Sequence, residues 1–266
     1  MLSVTILTYN AERHLTRVLD SVSSFDDIVV LDSGSTDSTA EIAARYPQVR
    51  FFFRPFEGFG QAHQFATMQA NHDWILSLDS DEVVSEALLH ELKNLDLDPH
   101  SVYAFPSHNI FRGKWIRWGG WAAKTPIRIY NRLTTSFSLD KVHERVLNEG
   151  LKTKVLTGHI SHYSYETLSD FLTKMERYTT LFAEQNRGKK KASLRSAISH
   201  AIGAFFKSYV LQKGFLGGAE GFIISSYMAH TAFYKYLKLQ ELNYAAQSHV
   251  SSSRERETCQ LPSSTH

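Results

Sequence analysis

Four short, mostly apolar runs, each followed by a segment of helical period, limit what the first 95 residues can become. The runs are Leu2 to Leu7, Ile28 to Leu31, Val49 to Phe53 and Trp74 to Leu78. They are continuous rather than alternating, as expected for strands covered on both faces in a parallel sheet. Between the first two, Leu15, Val18, Leu19 and Val22 recur at helical spacing within 11–23. A second helix follows the turn at 32–37, with Thr36 or Asp37 as its cap, and runs through Tyr46. A third is expected over 59–70. Strands alternating with helices of this length fold as βαβ units, so residues 1–95 read as a nucleotide-fold-like half.

In an open α/β sheet, ligands bind beyond the carboxyl ends of the strands. The first strand delivers Thr8, Tyr9 and Asn10 there, the second Asp32, and the fourth Asp79 and Asp81. Two hard carboxylates at that rim suit a Mg²⁺ or Mn²⁺ that also holds phosphate oxygens. An acidic loop before a helix is the plainer alternative, with Glu82 as a helix-start carboxylate favoured by the helix dipole. Asp32 could accept a uracil N3–H while a tyrosine stacks on the base, or it could simply close its own turn. No Gly-x-Gly-x-x-Gly or Walker loop follows the first strand, which disfavours a dinucleotide redox site and a P-loop ATPase.

After residue 99 the pattern changes. Short aromatic-rich runs at 102–110, 114–118 and 127–130, and further runs at 142–146 and 154–160, read as strands of a mixed region, so 96–165 forms an acceptor and catalytic half. Val142 and Val146 alternate inward, which places Glu144 on an apolar face where a carboxylate needs a reason. Asp140 is the second candidate base. From Tyr165 the chain turns helical, with Leu168, Phe171, Leu172, Met175, Tyr178 and Thr179 on one face.

A basic run, Arg187 to Lys191, precedes two apolar helices expected at 197–211 and 222–239, joined by a glycine-rich turn. Lys207, Lys213, Lys235 and Lys238 interrupt or flank them. The uncharged stretch is too short to span a bilayer, so 166–245 suits helices with a hairpin lying in the membrane interface; packing on the protein's own core or in a dimer is the alternative. The tail from 246 is polar and expected to be disordered. A net charge of +2 gives no case for nucleic-acid binding. The single cysteine, Cys259, excludes an internal disulfide and a cysteine-based metal cluster. A reduced, cytoplasmic compartment fits, and the first residues do not read as a secretory leader.

Three stretches taken together, Val4 to Asn10, Val30 to Thr39 and Leu78 to Glu82, resemble family 2 glycosyltransferases of the GT-A fold, an α/β fold with a Rossmann-like parallel half and a mixed-sheet acceptor half. Lys141 to Arg145, His159 to Ser164 and the glycine-rich hairpin are similar to bacterial enzymes of lipopolysaccharide inner-core assembly. The resemblance implies an inverting transfer of a sugar, glucose in that branch, from a UDP-sugar to a cell-envelope glycan. It also implies a location at the inner face of the cytoplasmic membrane. On it, Thr8, Tyr9 and Asp32 hold uridine and Asp81 is the main metal ligand. Asp79 faces the ribose or a metal-bound water, Glu144 is the base, and His162 is a further metal ligand or diphosphate contact. Arg54 could reach the diphosphate. The chain departs from the pattern after Glu57, where Gln61, His63 and Gln64 replace basic residues; His63 could still meet the diphosphate when protonated. Gly217-Gly218 lacks the acidic residue expected before glycine. A metal-dependent hydrolase and a nucleotidyltransferase are the competing readings.

Overall fold

A computed structural model describes residues 1–139 and 144–258, with side chains through 245. The chain forms two compact units. One comprises residues 1–115 and 123–164, the other residues 116–122 and the chain from 165 onward.

The first unit is built on a seven-stranded sheet. Strands β1 (Leu2–Thr8), β2 (Ile28–Asp32), β3 (Val49–Phe53) and β4 (Trp74–Asp79) pair in parallel, in the order β4-β1-β2-β3. The four expected strands are all present, and Val4, Ile6, Val30, Leu76 and Leu78 are fully buried in the main core. Helices α1 (Leu15–Ser21), α2 (Thr39–Ala43) and α3 (Phe59–Met68) connect them. α1 is shorter than expected, because 11–14 form a turn that ties the rim loops together. On the far side of β4 lie β9 (Ile127–Asn131), antiparallel to it, then β6 (Ser101–Ala104) and β10 (Lys152–Val155). The segments 1–95 and 96–165 therefore share one sheet.

A second sheet of four strands has the order β5-β11-β7-β8, from β5 (Glu82–Val84), β7 (Ser107–Phe111), β8 (Lys114–Trp115) and β11 (Ile160–His162). The strand expected over 102–110 breaks at Pro106, which has no N–H to donate to a ladder. Its first part stays in the large sheet as β6 and its second part enters the small one as β7. The chain makes the same change of sheet between β4 and β5. Glu82 is consequently a strand residue and not a helix start, a correction to the sequence reading. The helix begins four residues later, as α4 (Glu86–Lys93), where the Ser85 side chain accepts from the Leu88 N–H. Of the strand expected at 142–146, residues 142 and 143 lie outside the described residues, and Val146 forms an isolated bridge to Phe137.

The second unit holds α5 (Leu168–Asn186), α6 (Leu194–Phe206) and α7 (Gly218–Thr258), with a π-helical turn at Lys207–Leu211 and a 3-10 turn at Gly214–Gly217. Trp121 stacks on Tyr165 and Phe171 at 4.4 and 5.0 Å. On α5 the buried residues are Phe171, Thr179 and Ala183, whereas Leu168, Leu172 and Tyr178 of the expected face are exposed. The glycine-rich turn crosses the start of α7 so closely that a Cβ on Gly221 would lie 1.9 Å from the Gly214 carbonyl oxygen. α7 continues past 246, where a disordered tail was expected.

Candidate active site

The register of the large sheet sets the rim. Thr8 on β1 lies level with Asp32 on β2, Asp32 with Phe53 on β3, and Leu7 with Asp79 on β4. The strand ends, and the loops that follow them, therefore converge on one edge of the first unit.

On one side of that edge Asp32 organises a loop. It is buried, and its carboxylate accepts from the Thr8 hydroxyl (3.0 Å), the Ser35 hydroxyl, and the Gly34 and Ser35 N–H groups (both 2.8 Å). Those four bonds match the lone-pair sites a carboxylate offers. Asp32 thus closes its own turn, and a base N–H would compete with Thr8 or Ser35 for it. Asn10 knits the first loop to the second: its N–H donates to Ser35 Oγ and its Oδ1 accepts from the Thr36 N–H, both at 2.8 Å. Its φ of +50° is one that asparagine tolerates better than most residues. Tyr9, next to Asn10 in the first loop, is exposed. Arg54, just past β3, pairs with Glu57 at 2.6 Å and covers the Phe65 ring.

The carboxylates after β4 separate into two groups. Arg128 of β9 donates to Asp79 Oδ2 at 2.7 Å and to Glu82 Oε1 at 2.6 Å. Glu82 Oε2 accepts from the Asp79 N–H at 3.0 Å. Glu82 is only 1 % exposed. Burial raises its pKa above the ordinary carboxylate value, against the pull of Arg128. Burial acts on Asp79 in the same sense but loses to the Arg128 charge, with His63 helping, and its pKa falls. The guanidinium takes one oxygen of Asp79 and joins the end of the large sheet to the first strand of the small one. Asp81 lies outside this clamp. Its carbonyl accepts from the Tyr163 N–H at 2.9 Å, so the end of β11 runs beside it. His162 Nε2 consequently stands 3.3 Å from Asp81 Oδ1 and 2.6 Å from Ser164 Oγ. Burial lowers the His162 pKa, but the Asp81 hydrogen bond and charge outweigh it, and the net direction is upward.

His63 cannot meet a diphosphate as a cation. It lies 2 % exposed beneath the rim, stacked on Phe137 at 4.0 Å and 3.2 Å from the Ser77 hydroxyl. Burial holds its pKa at about 4, against a partial rise from Asp79. The unfolded imidazole takes its proton near 6.5. Between those two values the unfolded chain binds more protons, so this residue makes stability fall as pH falls, by about 3 kcal/mol over the whole interval. The raised Glu82 pKa acts in the opposite sense over part of the same interval. The observable is therefore the difference in urea-unfolding free energy between wild type and His63→Gln, which is expected to change steadily from pH 7 to pH 4. A difference independent of pH would contradict the buried neutral imidazole.

Sequence reasoning missed Arg128 and misplaced Glu82. The available signal was a lone charge between Ile127 and Ile129 in a run read as a strand, which required a partner. Glu144 is half-buried and Asp140 lies outside the described residues. Among the described residues no three His, Cys, Asp or Glu side chains gather as a metal cluster. Asp81 with His162 is the donor pair that could hold an ion whose other ligands are phosphate oxygens and water, the usual manner for Mg²⁺.

The sequence model of "Glycosyl transferase family 2" matches residues 3–168. The chain belongs to glycosyl transferase family 2. It is a glycosyltransferase, and its mixed sheet is the GT-A fold expected from the sequence. Among relatives, the "Lipopolysaccharide core biosynthesis glycosyltransferase LpsC" of Rhizobium meliloti is 27 % identical over 90 % of this chain and 92 % of that one. An uncharacterized glycosyltransferase of Rickettsia typhi, RT0209, is 27 % identical over 94 % of this chain and 90 % of its own. Among solved structures, residues 1–349 of S. aureus TarS superpose with a TM-score of 0.47 at 15 % identity, covering 93 % of this chain and 91 % of that one. The mannosyltransferase PcManGT from Pyrobaculum calidifontis, in complex with GDP-Man and Mn²⁺, gives 0.49 at 16 %, with 90 % and 86 % covered. No helix among the described residues is long and apolar enough to cross a membrane.

Proposed function

We propose that this family 2 enzyme transfers a hexose, glucose by preference, from a UDP-sugar to the inner core of a lipopolysaccharide, with inversion at the anomeric carbon. The observation that carries the donor side is the rim itself, where Asp81 stands beside His162 at 3.3 Å, on the same edge as the Thr8–Asp32 loop. Thr8, Tyr9, Asn10 and Asp32 would hold the uridine, with Tyr9 offering its open ring to the base. Asp79, fixed by Arg128, would face the ribose or a metal-bound water, and Arg54 would reach the diphosphate by leaving Glu57. Asp81 and His162 would hold the Mg²⁺ or Mn²⁺, whose positive charge offsets that developing on the departing diphosphate. The acceptor side rests on the similarity to LpsC across nine-tenths of both chains. A lipid-anchored acceptor would also put the enzyme at the inner face of the cytoplasmic membrane as a peripheral protein.

The reaction is one in-line displacement. The acceptor hydroxyl attacks the anomeric carbon, the bond to the UDP oxygen breaks, and the hydroxyl proton must go to a base. Glu144 is the residue proposed to take it, with Asp140 second. Glu144→Gln keeps the size and hydrogen-bonding edge of the side chain but cannot accept that proton. Transfer is expected to fall about 10²–10⁴-fold with UDP-sugar affinity unchanged; loss of donor affinity would mean that Glu144 is not a simple base. The reading as a whole is tested with a panel of UDP-sugars and truncated lipopolysaccharide acceptors, scored for UDP release. Release that depends on acceptor supports transfer, and equal release without it points to a hydrolase.

A further inference from the structure

The helical unit carries an apolar ridge that faces solvent. Leu194, Ile198, Ile202, Phe206 and Val210 follow one another at intervals of four residues along α6 and its π-helical end, and each is 42–64 % exposed. At 1.5 Å per residue the ridge is about 24 Å long. Beyond it Leu211, Phe215 and Leu216 extend the exposed apolar surface across the turn into α7. Scattered exposed side chains need no explanation, but a continuous ridge of large ones does.

Its charge surroundings are one-sided. From 187 to 219 the sequence has seven basic residues and no acidic one: Arg187, the lysines at 189–191, Arg195, Lys207 and Lys213. All seven are exposed. A second copy of the chain docked ridge to ridge would bring like charges together, which disfavours self-association as the cover. An apolar strip whose own segment, 187–219, carries only cations is complementary to an anionic lipid surface, where acyl chains take the strip and headgroups the lysines.

We infer that α6 and the turn at 211–216 form a membrane-docking edge selective for anionic lipid, with Phe222 at the start of α7, itself 52 % exposed, at its margin. This narrows the sequence expectation of a two-helix interfacial hairpin. On α7, Ile224 and Leu239 are fully buried, Lys238 is paired with Glu176 at 2.7 Å, and Lys235 is partly buried over the Phe182 ring. Those groups stabilise the helical unit and are not available to lipid. The inference rests on the proposed lipid-anchored acceptor for its purpose, but not for its geometry.

The test is co-sedimentation of the full-length protein with vesicles of phosphatidylcholine alone and with about a third phosphatidylglycerol. The wild type is expected to bind the anionic vesicles at least tenfold more tightly. Replacing Ile202 and Phe206 together by Gln, or the three lysines at 189–191 by Gln, is expected to weaken that binding tenfold or more. Each lysine near an anionic surface contributes about fivefold. Both sets are exposed, so unchanged melting temperatures are expected and show that the unit is intact. Equal binding to both vesicle types, binding indifferent to both sets, or a dimer abolished by the Ile202/Phe206 change would each overturn the inference. Transfer to a water-soluble, delipidated acceptor should be unchanged in both variants. Failure of vesicle binding with transfer intact sinks the docking edge alone, whereas vesicle binding without transfer sinks the proposed function alone.

Discussion

Asp81→Ala is expected to lower sugar transfer by on the order of 10³-fold while leaving the fold intact. The magnitude follows from removing a preorganised charge contact in a site where charge develops on a leaving group. Asp81 is part of neither the buried core nor the Arg128 clamp. Its side chain contacts His162 and is 25 % exposed, so the stability cost should stay within that of a partly exposed ion pair, about 1 kcal/mol at most. The variant also removes the group that holds the His162 pKa up. Calorimetric titration with UDP, with and without Mn²⁺, separates the possible roles. Wild-type affinity should rise with Mn²⁺, and Asp81→Ala should bind UDP equally weakly in both conditions. Normal turnover in the variant, or metal-dependent UDP binding that survives it, would remove Asp81 from the proposed metal site. His162→Ala should produce a smaller loss of the same kind.

Arg128→Ala has the largest expected effect on stability. The substitution leaves Glu82 buried at 1 % exposure without the guanidinium that hydrogen-bonds it and frees the Asp79 oxygen from its partner. Removing one member of a buried pair in this way costs about 3–5 kcal/mol. The pH dependence provides an internal check. Without the guanidinium, the Glu82 pKa rises further above its already raised value. A carboxyl whose folded pKa exceeds its unfolded one contributes stability when protonated and loses it as pH rises through the folded value. The deficit relative to wild type should therefore be greatest in alkaline solution and shrink toward pH 5, as followed by urea unfolding. Combining Arg128→Met with Glu82→Gln should recover much of the loss, because no buried charge then stands alone. If the double variant is as unstable as the sum of its parts, the two residues do not act as a pair. Activity should remain low even in a refolded double variant, since Asp79 would no longer be oriented.

The parallel half was legible because its cause is local. A strand buried on both faces must be apolar throughout, and Ile28 to Leu31 could hardly be anything else. The rim residues followed from the same reasoning, since strand ends in a parallel sheet converge whatever the helices do. What the sequence concealed depends on partners distant along the chain. Glu82 was read as a helix-start carboxylate because its neighbours favour that role, and the residue that buries it is 46 positions away. His63 appeared available as a cation because its depth beneath the rim is set by Phe137 and Ser77, on other elements. The hairpin misled differently. Two apolar helices of similar composition look alike in sequence, although α6 exposes a regular ridge while α7 buries Ile224 and Leu239 against the rest of the unit.

The position of β9 has a consequence for how the chain is made. The large sheet does not stop at β4, because β9 pairs with the edge that β4 leaves open when the first 95 residues are complete, and β9 carries the Arg128 that pairs with Glu82. A nascent chain that has delivered β4 must wait for some fifty more residues before that edge is paired. At typical ribosomal rates this takes roughly 3–10 s. During that time an apolar strand edge is open and a carboxylate destined for burial has no counter-charge, the conditions under which edge-to-edge association occurs. A fragment cut at residue 95 would retain that exposure permanently. The first 95 residues should therefore depend on chaperones during synthesis and should resist excision as a free-standing module.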